Sequence, residues 1–233
     1  RQIGVLCRRI ARRVAKGSDV SVTIQTDDLT NYLGLPYQTA TKPTPPPTPG
    51  VVTGLAATPV GGQHFTVETT TMPGTGAILL TGHLGEIIKE SAQTAVSYIR
   101  ANSHMLGIDK DRLQNVDIHI HVPAGAIPKD GPSAGLAMCL SLISHLKNHI
   151  ISPEIAITGE ITLTGQVLGV GAIRDKLLAA QRAQVCRVIL PEANRSEVDL
   201  LPNTLKQRLQ LNYVSDMHKA HSLIFKETSN RGH

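Results

Sequence analysis

Apolar and polar positions along this chain fall into short stretches of different period. Ile3, Leu6, Cys7, Ile10 and Val14 recur three or four apart and predict a helix over residues 3–15, ended by Gly17 and Ser18. Val20–Ile24 reads as extended, and Thr26-Asp27-Asp28 caps a brief helix that closes near Gly34. Residues 38–50, QTATKPTPPPTPG, break both periods. They cannot donate a regular ladder of hydrogen bonds, favour the polyproline form, and read as a semi-rigid linker.

Beyond Gly50 the period becomes two. Val51–Ala57, His64–Thr69 and Ala77–Leu80 are predicted strands, split by Gly61-Gly62 and Pro73-Gly74 turns. Residues 83–103 form an amphipathic helix with Leu84, Ile87, Ile88, Ala92, Ala95, Val96 and Ile99 on one side. Val116, Ile118, Ile120 and Val122 alternate with Asp117, His119 and His121, which predicts a strand with one buried face. An apolar helix follows over 132–146, then strands over 155–158 and 161–168 and a helix over 172–183. Strands over 187–190 and 209–214 and a helix over 216–225 complete the chain. Strands and helices mix without a strict βαβ repeat, so the fold class is α+β with a mixed α/β sheet and a small N-terminal helical segment.

Composition narrows the functional classes. The chain has 233 residues, 41% of them hydrophobic, with no apolar run long enough to span a membrane. Cys7, Cys139 and Cys186 are too scattered for a disulfide framework or a metal spacing, which fits a reducing compartment. The net charge of +5 is uneven: Arg1, Arg8, Arg9, Arg12, Arg13 and Lys16 carry the excess, with no acid among them. A basic helix of this kind presents a solvated face, or contacts an acidic partner or nucleic acid weakly. No aromatic residue interleaves with these arginines, which argues against a single-strand stacking platform.

The candidate chemistry centres on Pro123–Gly135, where Ser133 stands among glycines and prolines directly ahead of an apolar helix. A hydroxyl at a helix mouth lies near free N–H groups that stabilise developing negative charge. Ser is a weak nucleophile and needs a base. Gly131-Pro132-Ser133-Ala134-Gly135 matches G-x-S-x-G, the nucleophile elbow of an α/β-hydrolase. That reading takes an acid from Asp175, Asp199 or Asp216 and a base from His218 or His221. Pro132 suits the first turn of a helix better than an elbow, and the chain after Ser133 is short for such a sheet. A third reading is a loop capped by Ser133. Lys176 is the other candidate base, because Ile173, Leu177 and Leu178 supply the apolar wall that would lower its pKa.

Pro128–Gly135, Ile157–Gly165 and the segment around Lys176 resemble, in this order, the proteolytic domain of Lon proteases. Val52–Ala56, Gly61-Gly62, Phe65–Thr69, Pro73-Gly74, Leu84-Gly85-Glu86 and Asp117–Pro123 fit the same family. The resemblance implies a proteolytic domain over 51–228, preceded by the end of an AAA+ helical lid over 1–37 and the linker over 38–50, with a tail over 229–233. It implies a Ser–Lys endopeptidase acting on unfolded or damaged proteins, with Ser133 as nucleophile and Lys176 as general base. Thr158 would orient the lysine, and Asp130, Gly131, Pro132, Glu68 and His119 would support the site. The pair His119 and His121 also has a spacing that could hold a metal, though no third ligand stands out.

No G-x-x-x-x-G-K-[ST] motif is present, so no cofactor is expected in this chain, while the full-length protein would use ATP and Mg. A hexamer follows from the same resemblance; the absence of long insertions points to a bacterial cytoplasmic location, with mitochondrial matrix or peroxisome as alternatives, and no membrane association is expected. Gly171–Asp175 and Ala57 depart from the family's usual residues. Two other functional classes stay open: a serine esterase of the α/β-hydrolase type, and a non-catalytic assembly or nucleic-acid-binding module.

Overall fold

A computed structural model describes residues 2–17, 21–34, 47–59, 61–123 and 131–225. Two compact units divide the chain, Arg1–Thr44 and Pro45–His233. The first holds α1 (Gln2–Ala15) and α2 (Leu29–Leu33), the latter entered through a 3-10 turn at Thr26–Asp28. None of the residues of α1 is buried, and Ile3 is 76% exposed. The Arg13 guanidinium donates to the Tyr32 hydroxyl at 2.7 Å, and Arg9 to the Asn31 carbonyl at 3.3 Å, so α1 and α2 meet through polar groups.

The second unit runs β1 (Val51–Thr58), β2 (Gly61–Pro73), β3 (Ile78–Thr81), α3 (Glu86–Ala101), β4 (Val116–His121), α4 (Gly135–Leu146), β5 (Ile155–Ile157), β6 (Glu160–Ile161) and β7 (Val167–Leu168). It continues through α5 (Ile173–Arg182), β8 (Arg187–Pro191), α6 (Arg195–Asp199), α7 (Asn203–Lys206), β9 (Gln210–Val214) and α8 (Met217–Phe225). Seven strands form one sheet in the order β3-β4-β2-β1-β5-β8-β9. β2 runs antiparallel to both β1 and β4, and the remaining neighbours are parallel. The fold class expected from the pattern is the one observed.

Alternation along the strands splits the core in two. Val52, Phe65, Val67, Ile118, Ile120, Ile157 and Ile189 face α3, α4 and α8. Leu55, Ala156, Val188 and Leu190 face α5 together with Val198 of α6 and Leu205 of α7. The sheet therefore lies between two helix layers. Gly54 lets the Phe65 ring rest on β1, since a Cβ there would stand 2.4 Å from the ring.

Two stretches differ from the expected pattern. Residues 161–168, alternating enough to read as one strand, form the β6–β7 hairpin instead. Gly165 N–H donates to Thr162 O at 2.9 Å, with Gly165 at φ +82°, and the chain reverses there. Between β8 and β9 lie the short helices α6 and α7, whose apolar residues are too few to show a period.

Candidate active site

Ser133 lies in a 3-10 turn, Pro132–Ala134, that runs directly into α4. Pro132 starts the turn, where its missing N–H costs nothing. Two backbone hydrogen bonds latch the turn to the chain leaving β5. Gly159 N–H donates to Ser133 O, and Leu136 N–H donates to Gly159 O, each at 3.0 Å. The approach is close because both sides carry glycine. A Cβ on Gly159 would stand 2.9 Å from Leu136 Cδ2, and one on Gly135 would stand 3.0 Å from Ile161 Cγ2.

Thr158 continues the ladder one residue past β5, donating its N–H to Ile189 O at 3.0 Å. Ala156 faces the α5 layer, so alternation turns the Thr158 side chain to that layer as well. Its hydroxyl is fully buried and donates to Leu55 O at 3.5 Å and Ser133 O at 3.4 Å. These long, shared bonds tie the Ser133 turn to β1.

Lys176 sits in the first turn of α5. Ile173, Lys176, Leu177 and Ala180 form the buried stripe of this helix, and Lys176 is only 2% exposed. A charged side chain thus occupies the position of a core residue, while Arg174 points to solvent. Removal from water disfavours the ammonium and lowers the pKa from 10.5 to about 8, with the Glu197 carboxylate opposing the shift. α5 comes this close to the sheet because β2 opens with glycine: a Cβ on Gly62 would lie 1.9 Å from Asp175 O. Arg182 adds a hydrogen bond to Gly62 O from the far end of the helix. The Ser133 turn and α5 both pack on β1.

Glu68, His119 and His121 lie together on another part of the sheet. Glu68 pairs directly with His121 across β2 and β4, and Thr70 with His119. The Thr81 hydroxyl joins both rings, at 2.9 Å from His119 Nε2 and 2.6 Å from His121 Nδ1. None of the three hydrogen-bonds Ser133, Lys176 or Thr158. Among the described residues no group of three or more His, Cys, Asp or Glu could hold a metal. Gly131 has extended backbone, φ 165°, and no described atom lies within 4 Å of where its Cβ would be. Asp130 lies outside the described residues.

His221 of the esterase reading is elsewhere. His221 Nε2 is 3.2 Å from Lys147 Nζ, and its ring rests on Phe225 with centroids 4.9 Å apart. Lys147 caps the C-terminal end of α4. Fourteen residues of helical rise put that end about 20 Å from Ser133. Among the described residues, Ser133 is entered from Gly131 through the 3-10 turn Pro132–Ala134, and the nearest strand before it ends at His121.

Asn194 escaped the sequence reading. It stands at the N-cap position of α6, where Asn is expected to cap. Its side chain turns away instead and clamps Val170, accepting from N–H at 2.9 Å and donating to the carbonyl at 2.8 Å. No local signal separates the two uses, because Val170 is brought there by the tertiary fold.

The fold is thus a mixed sheet between helix layers, with a serine at a helix mouth and a lysine drawn into the core. Comparison with known proteins gives the family. The model of the Lon protease (S16) C-terminal proteolytic domain matches residues 23–226, and the chain belongs to this family of serine peptidases. It is 45% identical over 219 residues to a Lon protease of Desulfatibacillum aliphaticivorans, a match covering 94% of this chain and 26% of that protein. Against a Lon protease of Lawsonia intracellularis it is 43% identical over 98% of this chain and 28% of the relative. Against Lon protease 2 of Thermus thermophilus it is 44% identical over 93% and 27%. The chain thus spans about a quarter of the length of these curated relatives.

Proposed function

We propose that this chain hydrolyses peptide bonds through a Ser133–Lys176 dyad and an acyl-enzyme. The observation that carries the reading is the burial of Lys176 on the core stripe of α5, at 2% exposure. A lysine with a pKa of about 8 is neutral in a useful fraction near neutral pH, and only the neutral amine accepts a proton. Lys176 Nζ takes the proton of Ser133 Oγ as the oxygen attacks the peptide carbonyl. Backbone N–H groups of the turn that opens α4 stabilise the oxyanion. The Lys176 ammonium then protonates the departing amine, leaving an ester on Ser133. Water loses a proton to Lys176, attacks the ester, and restores the free hydroxyl.

Thr158 supports the dyad by holding the Ser133 turn against β1. The open side of Gly131 and Pro132 is where an extended peptide would pass. Glu68 and His119 belong to the wall of the same substrate path, and Asp130 to the loop that borders it. In the full-length protein, residues 1–37 end an AAA+ lid, 38–50 link it to the peptidase at 51–228, and ATP with Mg drives unfolded or damaged proteins toward Ser133. A homohexamer in the bacterial cytoplasm is the assembly this reading implies.

The test is hydrolysis of a short fluorogenic peptide, which requires no unfolding. Ser133→Ala and Lys176→Met should each reduce kcat/KM to background while the circular dichroism spectrum stays unchanged. Activity retained in either well-folded variant rejects the dyad.

A further inference from the structure

Lys176 enters the core four residues after the Gly171-Ala172 loop. Ala172 adopts φ +54°, and a Cβ on Gly171 would meet no described atom within 4 Å. What fixes the approach is Asn194, 6% exposed, whose amide grips both backbone groups of Val170. The same amide nitrogen donates to Glu197 Oε2 at 3.1 Å. One side chain thereby pins the loop that leads into α5 and the carboxylate of α6 that faces it.

We infer that Asn194 is a positioning residue for Lys176, holding in place both the loop that leads into α5 and, as its counter-charge, the Glu197 carboxylate of α6. The inference rests on the reading of Lys176 as the general base. The elements packed on α5 are β1, β2, α6 and α7, with Ala156 of β5 and Val188 and Leu190 of β8 on the same sheet face, where alternation turns Arg187 of β8 to the opposite side. β1 carries no ionisable side chain, β2 brings His64 and Glu68, α6 brings Arg195, Glu197 and Asp199, and α7 brings Lys206. Arg195 is committed to Glu192, and Lys206 Nζ to the Asp199 carbonyl at 2.9 Å. Glu197 is the charge that acts on Lys176, and it favours the ammonium.

The consequence has a definite sign. Removing the carboxylate favours the neutral amine, so Glu197→Gln should move the Lys176 titration to lower pH. Glu197 is solvent-exposed, so its effect is screened by salt and the substitution should not disturb folding. Asn194→Ala frees both Val170 and Glu197. It should lower kcat more than it raises KM, because the base is misplaced while the substrate path is intact.

The experiment follows Lys176 directly, by the pH titration of its 13Cε resonance in the labelled chain, assigned with Lys176→Met. Glu197→Gln should lower the midpoint by about half a unit at low ionic strength, with a smaller shift at 0.5 M salt. In Asn194→Ala the midpoint should fall in the same direction, and labelling of Ser133 by a serine-directed fluorophosphonate should slow about tenfold. An unchanged midpoint in Glu197→Gln overturns the inference, as does an Asn194→Ala variant that loses thermal stability but keeps both midpoint and labelling rate. Should Asn194→Ala fail to fold, Glu197→Gln alone decides. The titration does not depend on activity, so failure of the dyad itself would appear separately, as Lys176→Met labelled at the wild-type rate.

Discussion

Lys176 carries a cost that Glu197 relieves only in part. Its pKa falls from 10.5 unfolded to about 8 folded, so below pH 8 the native state must hold a buried ammonium. That amounts to about 3 kcal/mol, at 1.36 kcal/mol per unit. Between pH 8 and 10.5 the unfolded chain binds the proton that the folded chain has released, so stability rises with pH through that window. Lys176→Met keeps the volume and removes the charge. Urea unfolding should show it more stable than the parent by up to about 3 kcal/mol at pH 7, with the gap closing toward pH 10.5. The same titration should appear in kcat/KM, rising with pH through about 8 as the neutral amine forms. The flanking Ile173 and Leu177 made the burial of Lys176 readable from the chain alone. The contribution of Asn194 was hidden, because its partner Val170 is 24 residues away in sequence. Thr158 was singled out by its place in the motif, yet its hydroxyl bonds are to the Leu55 and Ser133 carbonyls.

At the scale of elements, two helices hold the chemistry in place by different means. α5 rests on glycine: Gly62→Val would put side-chain atoms where Asp175 O now lies, and the helix would have to lift from β2. Overpacking of this kind costs about 1–3 kcal/mol, and it should cut peptide hydrolysis along with the melting temperature. α4 is anchored by buried hydroxyls. Ser144 Oγ accepts from Gly50 N–H at 2.9 Å, and Ser141 Oγ donates to Gly50 O at 2.6 Å. Gly50 O also accepts from Thr69 N–H at 2.9 Å, whereas Gly50 N–H has Ser144 as its partner. Ser144→Ala should therefore cost about 1–3 kcal/mol, the penalty of a buried donor left unpaired, and Ser141→Ala less, as read by thermal or urea unfolding. The periodicity showed α3, α4 and α5 clearly, because each buries a long apolar face. It merged β6 and β7 into one strand, because Thr162, Thr164 and Gly165 reverse the chain without proline.

At the scale of the whole molecule, the sheet order could not be read from the pattern. β1 takes its neighbours from β2 and from β5, about a hundred residues later, and periodicity within a strand says nothing about which strand lies beside it. The mixed class was legible because strands and helices fail to alternate strictly. The same architecture places one of the two candidate histidine bases, His221, apart from Ser133. His221 belongs to a cluster with Lys147 and Phe225 at the C-terminal end of α4, away from Ser133, so His221→Ala should leave peptide hydrolysis unchanged. The central claim is that Ser133 is activated by Lys176 across this fold. It is tested most directly by the rate at which a serine-directed fluorophosphonate labels Ser133 between pH 6 and 10, in the parent chain and in Lys176→Met. The account predicts a parent rate that rises with a midpoint near 8 and a variant rate that is low and flat. Equal rates in the two proteins, or a parent rate independent of pH, would contradict it.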